Sequence, residues 1–106
     1  MPVFVGDAGI NAMGLYWDLY GEGYEYHIYL RELSTENDFE LVEKTDALDY
    51  TLMDLKPGTD YLIRVEAWWP GADSYDAVGE VSASTMEDMF LWRTINFIRN
   101  IGYIFI

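Results

Sequence analysis

The sequence predicts an all-β chain, a seven-stranded antiparallel sandwich followed by an apolar C-terminal segment that is helical or extended. Three observations lead there. Short runs of β-branched and aromatic residues alternate with turn residues along most of the 106-residue chain, the pattern of half-buried antiparallel strands. Helix signals are nearly absent before residue 86. There is no cysteine, so neither disulfides nor thiolate metal sites can staple the chain, and an aromatic content of 17% leaves an apolar core to hold it. At this length one domain fits and a second does not.

"VFV" opens the first strand, and "NAMGLYWDL" forms the second. In the second, Met13, Leu15 and Trp17 face one way and Ala12, Gly14, Tyr16 and Asp18 the other, with Leu15 and Trp17 marking the buried side. "GEG" turns the chain into "YEYHIYLREL", where Tyr24, Tyr26, Ile28 and Leu30 make the core face and Glu25, His27, Tyr29 and Arg31 point outward. After the polar turn "STEND", "FELVEKT" alternates only weakly, as a strand near a sheet edge does. "LDYTLMDL" is the fifth strand, closed by a tight turn in which Pro57 pre-sets φ and Gly58 allows φ > 0.

"DYLIRVEAWW" has the clearest alternation in the chain. Tyr61, Ile63, Val65 and Ala67 form its inner face, while Arg64 and Glu66 point to water. Continuing the count turns Trp69 inward, as a lid on the sandwich, and leaves Trp68 outward beside Tyr75 of the loop "PGADSYD", either exposed or covered by packing within the loop itself. "AVGEVSAST" is the seventh strand, and "MED" supplies an acidic first turn for a helix.

"GLYWDL" with Trp17, then "YEYHIYLRE", then "LDYTLMDLKPGTDYLIRVEAW" together resemble the fibronectin type III domain family over roughly residues 2–86. The last stretch carries the match in Leu55, Pro57, Gly58, Thr59, Tyr61, Val65 and Ala67. The resemblance implies an immunoglobulin-like sandwich over residues 1–86, and Trp17, Tyr26, Leu55, Tyr61 and Val65 are expected in its structural core. Tyr61 follows the turn at the start of a strand, where its ring fills the core edge and its hydroxyl can bond backbone upstream, the tyrosine-corner arrangement. Two segments depart from the family pattern: "AWWPGADSYD" and the residues after 86.

Little in the chain points to chemistry. His27 is the sole histidine, so a Ser–His–Asp triad or a multi-histidine metal site would have to use it, and it sits on an outward parity. A paired-carboxylate glycosidase needs a cleft that a lone small sandwich rarely encloses. "DAGIN" and "ENDFE" do not follow the calcium-loop pattern. The expectation is a non-enzyme with no metal and no cofactor.

Charge and apolarity are divided along the chain. The formal net charge is −13, all of it from residues 1–86, whereas residues 87–106 carry two acids and two bases. Such a charge repels nucleic-acid phosphates and anionic lipid, so neither is an expected partner. On a helix, Arg93, Asn96, Arg99 and Asn100 share one arc with Trp92 and Tyr103 beside them. Phe90, Leu91, Ile95, Phe97, Ile98, Ile101, Ile104 and Phe105 cover the rest, a wider apolar face than one packing surface hides.

Three readings of residues 87–106 compete. A membrane span of 18 residues reaches only ~27 Å and sets Arg99 near its middle, at a cost of ~2.5–3.5 kcal/mol. A helix folded back on its own sandwich buries a single face. An assembly segment buried by other subunits, in a homo-oligomer or a larger complex, is the favoured reading, with a helix over 87–101 and an extended end after Gly102.

The "MPVFVGDAG" start lacks the features of a secretory signal, and Met1 stands just before the first strand, so a complete chain that is not an exported precursor is expected. A small sandwich with an assembly segment and no disulfide fits a tailed-bacteriophage virion protein made in the host cytoplasm. The alternative is a carbohydrate- or cell-surface-binding accessory module using Trp68, Trp69 and Tyr75, in the cytoplasm or at the cell surface.

Overall fold

Two hydrogen-bonded sheets face each other in the computed structural model, which describes residues 1–88. Among the described residues seven strands form: β1 (Val3–Ala8), β2 (Met13–Trp17), β3 (Glu25–Glu32), β4 (Glu40–Thr45), β5 (Asp49–Leu52), β6 (Asp60–Trp68) and β7 (Ala77–Ser84). Their order is β1-β2-β5 in one sheet and β4-β3-β6-β7 in the other, and every pairing is antiparallel. The predicted all-β sandwich is the fold found.

The period-2 readings of β2, β3 and β6 decide the core. Met13, Leu15 and Trp17 project from one sheet against Tyr26, Ile28, Ile63, Val65 and Ala67 of the other, and all eight are buried. Register aligns these faces, with Tyr26 opposite Ala67 and Ile28 opposite Val65. The Trp17 and Tyr26 rings meet at 5.6 Å between centroids and 53° between planes, within the range for tilted aromatic pairs. The Tyr26 hydroxyl accepts from the Tyr20 backbone N–H at 2.9 Å, so its polar tip is satisfied inside an apolar layer.

Strand ends differ from the sequence reading for local reasons. β1 runs beyond "VFV" to Ala8 through a register shift between Val5 and Asp7. Its start crosses toward the second sheet, where the Met1 ammonium donates to the Val78 carbonyl at 3.3 Å. Gly79 permits this, since a Cβ there would collide with the Met1 carbonyl. β5 stops at Leu52 because Asp54 takes a left-handed φ of 58°. Leu55 then reaches the core from a loop and is fixed by its N–H on the Asn11 carbonyl at 2.9 Å.

The turn into β6 is built as Tyr61 anticipates. Its buried ring closes the end of the core, and its hydroxyl accepts from the Lys56 N–H at 2.9 Å. Past β7, Thr85 is buried at the same end. Its Oγ1 donates to the Lys56 carbonyl at 2.6 Å and accepts from the Thr59 N–H at 3.0 Å, while its own N–H donates to the Thr59 carbonyl at 3.0 Å. Met86 continues the anchor, its carbonyl accepting from Gly58 and its N–H donating to the Gly9 carbonyl. At the opposite margin β4 is exposed along nearly its whole length, as an edge strand is.

Candidate functional site

The outer face of the four-stranded sheet departs most from the sequence reading. Glu25, His27 and Tyr29 of β3 stand opposite Trp68, Glu66 and Arg64 of β6, and Arg64 stands in turn opposite Glu80 of β7. Cross-strand neighbours this close interact as pairs, and here they close into a second layer. The Trp68 indole lies over the His27 ring, 4.7 Å between centroids and 14° from parallel, and donates through Nε1 to Glu66 Oε1 at 3.0 Å. Arg64 Nε donates to Glu66 Oε2 at 2.8 Å and its Nη1 to Glu80 Oε1 at 2.9 Å. The Arg64 guanidinium also lies over the Tyr75 ring at 5.2 Å.

Three expectations are corrected by this layer. Glu66 does not point to water but is 6% exposed, and Arg64 is half-buried beside it. His27 has the outward parity expected but is 5% exposed beneath Trp68, with Nε2 3.2 Å from Glu25 Oε1. Of the two readings of Trp68, exposed or packed, the packed one holds: it is half-buried between His27 and Tyr75, so only its exposure is corrected. Parity says which side of a sheet a residue takes, whereas cover depends on neighbours across the strands. The hydrogen bonds from Arg64 to Glu66 and Glu80 hold the guanidinium pKa above its usual range. Burial first, then Glu66, pushes the Tyr29 phenol up.

Trp69 corrects the fourth expectation. It is not a lid on the core but is 51% exposed at the loop end of the sandwich. β6 ends at Trp68, and Pro70 with Gly71 at φ 82° turns the chain, closed by the Ala72 N–H on the Trp69 carbonyl at 3.0 Å. The side chain thereby leaves the pleat and meets Tyr24 edge-on at 5.4 Å, while Tyr24 meets Tyr20 at 4.8 Å. Gly23, at φ 83°, lies beneath this group, where an added Cβ would come within 3.1 Å of the indole. Trp68 and Trp69 therefore serve two separate aromatic groups, and Tyr75 belongs with the first.

Tyr24 also ties the β2–β3 loop to the β6–β7 loop, its hydroxyl donating to Asp76 Oδ2 at 2.7 Å. That bond, more than desolvation, pushes the phenol pKa from 10.0 up to about 12. An unfolded chain releases this proton near the ordinary value, whereas the folded chain holds it until about 12. The linked stability is therefore complete below pH ~10 and is lost as the pH rises through the folded value. Denaturation midpoints followed across this alkaline window should fall more steeply for the parent than for Tyr24→Phe; parallel curves would show that the bond does not form in solution.

A third feature lies beside the edge strand β4 of the four-stranded sheet. A groove of about 460 Å³ runs there between Leu41 and Val42 of β4 and the segment Met53–Lys56, with Tyr61 at its base. Leu41, Val42 and Met53 are exposed. The sequence reading missed it, and its one signal was the weak alternation of "FELVEKT", which places Leu41 and Val42 side by side.

The arrangement offers little to a reaction. Among the described residues no group of three or more His, Asp or Glu side chains is placed to hold a metal. His27 is stacked under the Trp68 indole with its Nε2 beside Glu25 Oε1. The partner-binding residues expected from the sequence, Phe90, Leu91, Trp92, Ile95, Phe97, Ile98, Ile101, Tyr103, Ile104 and Phe105, lie outside the described residues. Trp17, Tyr26, Leu55, Tyr61 and Val65 are all in the core.

Solved structures similar to this fold include fibronectin type III domains and a redesigned β-sandwich protein. The chain is similar to the fibronectin type III domain of human fibronectin type III domain containing protein 3, with 23% identity, coverage of 81% of this chain and 83% of that one, and a TM-score of 0.66. The sixth such domain of human fibronectin type III domain containing protein 3 gives 20% identity, 82% and 83% coverage and a TM-score of 0.66. A computationally redesigned β-sandwich protein gives 18% identity, 83% and 94% coverage and a TM-score of 0.69. No protein-family model and no curated protein matches the chain in sequence. The fold is thus that of a fibronectin type III domain.

Proposed function

We propose that the chain is a non-catalytic structural and interaction module, an acidic fibronectin type III-like sandwich that docks into a larger assembly through its apolar C-terminal segment. One observation carries this reading. The space between the sheets is filled by side chains drawn from every strand but β4, with Leu55 added from a turn, and a further run rich in Phe, Ile, Leu and Trp follows after Asp88. Burying eight such side chains is worth on the order of 12–24 kcal/mol before entropy is subtracted. Another subunit is the natural source of that surface. The partners are then protein subunits rather than nucleic acid or membrane, since the net charge of −13 opposes both anionic surfaces.

The setting we infer is a tailed-bacteriophage particle, in its tail, baseplate or capsid. Such a particle assembles in a reducing cytoplasm, and a chain held by its core with no cysteine suits that compartment. Light scattering on the full chain tests the reading. The parent is expected as discrete oligomers, and Phe97→Glu with Ile101→Glu as a folded monomer. A parent that is monomeric, with a variant that is monomeric but less stable, would mean that the segment only completes its own core.

A further inference from the structure

We infer that the groove between β4 and the Met53–Lys56 segment is the receptor for the C-terminal segment of a second copy of this chain. The inference rests on the assembly reading above and names the surface that the segment binds. The groove has the features an extended apolar peptide needs: Leu41, Val42 and Met53 along its lips, the buried Leu55 and Tyr61 behind them, and a β4 edge that no strand among the described residues pairs. A strand added to such an edge gains main-chain hydrogen bonds while its alternate side chains fill the groove. "YIFI" at Tyr103–Ile106 has the β-favouring composition for this.

Charge supports the same occupant. Residues 1–88 hold four basic and nineteen acidic side chains, a balance of −15, whereas residues 89–106 hold Arg93 and Arg99 and no acid, a balance of +2. Around the groove, Glu32, Asp38, Glu40 and Asp54 outnumber Arg31 and Lys56. A second acidic sandwich face would be repelled there, and an apolar segment with two arginines is attracted.

Capacity decides between a neighbour's segment and the chain's own. About 460 Å³ is the size of a site for one drug-sized ligand, so it takes only a fraction of the apolar side chains after residue 88. A segment folded into its own groove would leave most of that surface in water. Exchange between two copies fills both grooves and lets the two segments cover each other, which closes the assembly as an isologous pair. Reach is no obstacle, because Met86 is fixed beside Gly58 at the groove end of the sandwich. The fifteen residues from Asp88 to Gly102 span up to ~50 Å when extended.

The absence of native cysteine makes this directly testable on the full chain. Chains carrying Met53→Cys and chains carrying Ile104→Cys, mixed and mildly oxidised, should give a covalent heterodimer. Phe4→Cys, on the outer face of the other sheet, mixed with Ile104→Cys should not. Leu41→Glu, at an exposed position, should leave the fold intact by circular dichroism and reduce the light-scattering mass to one chain. A cross-link that forms only when Met53→Cys and Ile104→Cys are on the same chain, at monomer mass, would overturn the inference in favour of self-docking. Oligomers that survive Leu41→Glu but are lost in the Phe97→Glu, Ile101→Glu chain would overturn it while the assembly reading stands. If neither set of substitutions changes the mass, both fall.

Discussion

Arg64→Ala is expected to lower the unfolding free energy by about 3 kcal/mol, the low end of the cost of removing one partner from a buried ion pair. The Glu66 carboxylate would be left under the outer layer with the Trp68 indole N–H as a donor but no cation. Tyr75 would lose the guanidinium beneath its ring, and Glu80 its ion-pair partner. The double variant Arg64→Met, Glu66→Leu should recover most of the loss, because replacing both charges with apolar groups of similar volume is close to neutral. Urea denaturation of the parent and both variants measures it. A loss of under about 1 kcal/mol for Arg64→Ala would place the pair among surface salt bridges and remove the layer from the account of stability.

Tyr26→Ala should be costlier still, by about 3–5 kcal/mol, the range for truncating a buried aromatic residue. Tyr26 is 0% exposed and touches the Trp17 ring, so the cavity would open where the two sheets meet and cannot collapse from one side. Tyr26→Phe separates the hydroxyl from the ring. It keeps the packing but leaves the Tyr20 N–H without its acceptor, a penalty of about 1–3 kcal/mol if that group stays dry. Equal losses in the two variants would mean that the hydrogen bond, rather than the ring, carries the contribution. Thermal unfolding of both variants separates the two.

Those residues also show how far the sequence could be read. Met13, Leu15 and Trp17, like Tyr26, Ile28, Ile63 and Val65, were legible because a strand alternates with a period of two and one face of each sheet meets an apolar partner. Tyr61 was legible because a Pro-Gly turn fixes where its strand begins. Trp69 was not, since the count was carried one residue past the end of β6 into a Pro70 turn. Glu66 and His27 were assigned to the correct side but to the wrong environment, as parity does not show that Trp68 folds onto Glu66, two residues back on β6, and over His27 on the neighbouring strand. The groove left only the weak alternation of "FELVEKT" as a signal, because its two lips come from segments far apart in the chain that meet only after folding.

The Thr85 and Met86 anchor has a mechanical consequence. Tension applied to the C-terminal segment enters the domain beside Lys56, Gly58 and Thr59 and, through the Gly9 carbonyl, the β1–β2 hairpin of the opposite sheet. Hydrogen bonds to both sheets then bear the load side by side, and β7 cannot unzip from β6 one rung at a time until they fail together. A module built this way can be pulled by its tether while its strands stay in register.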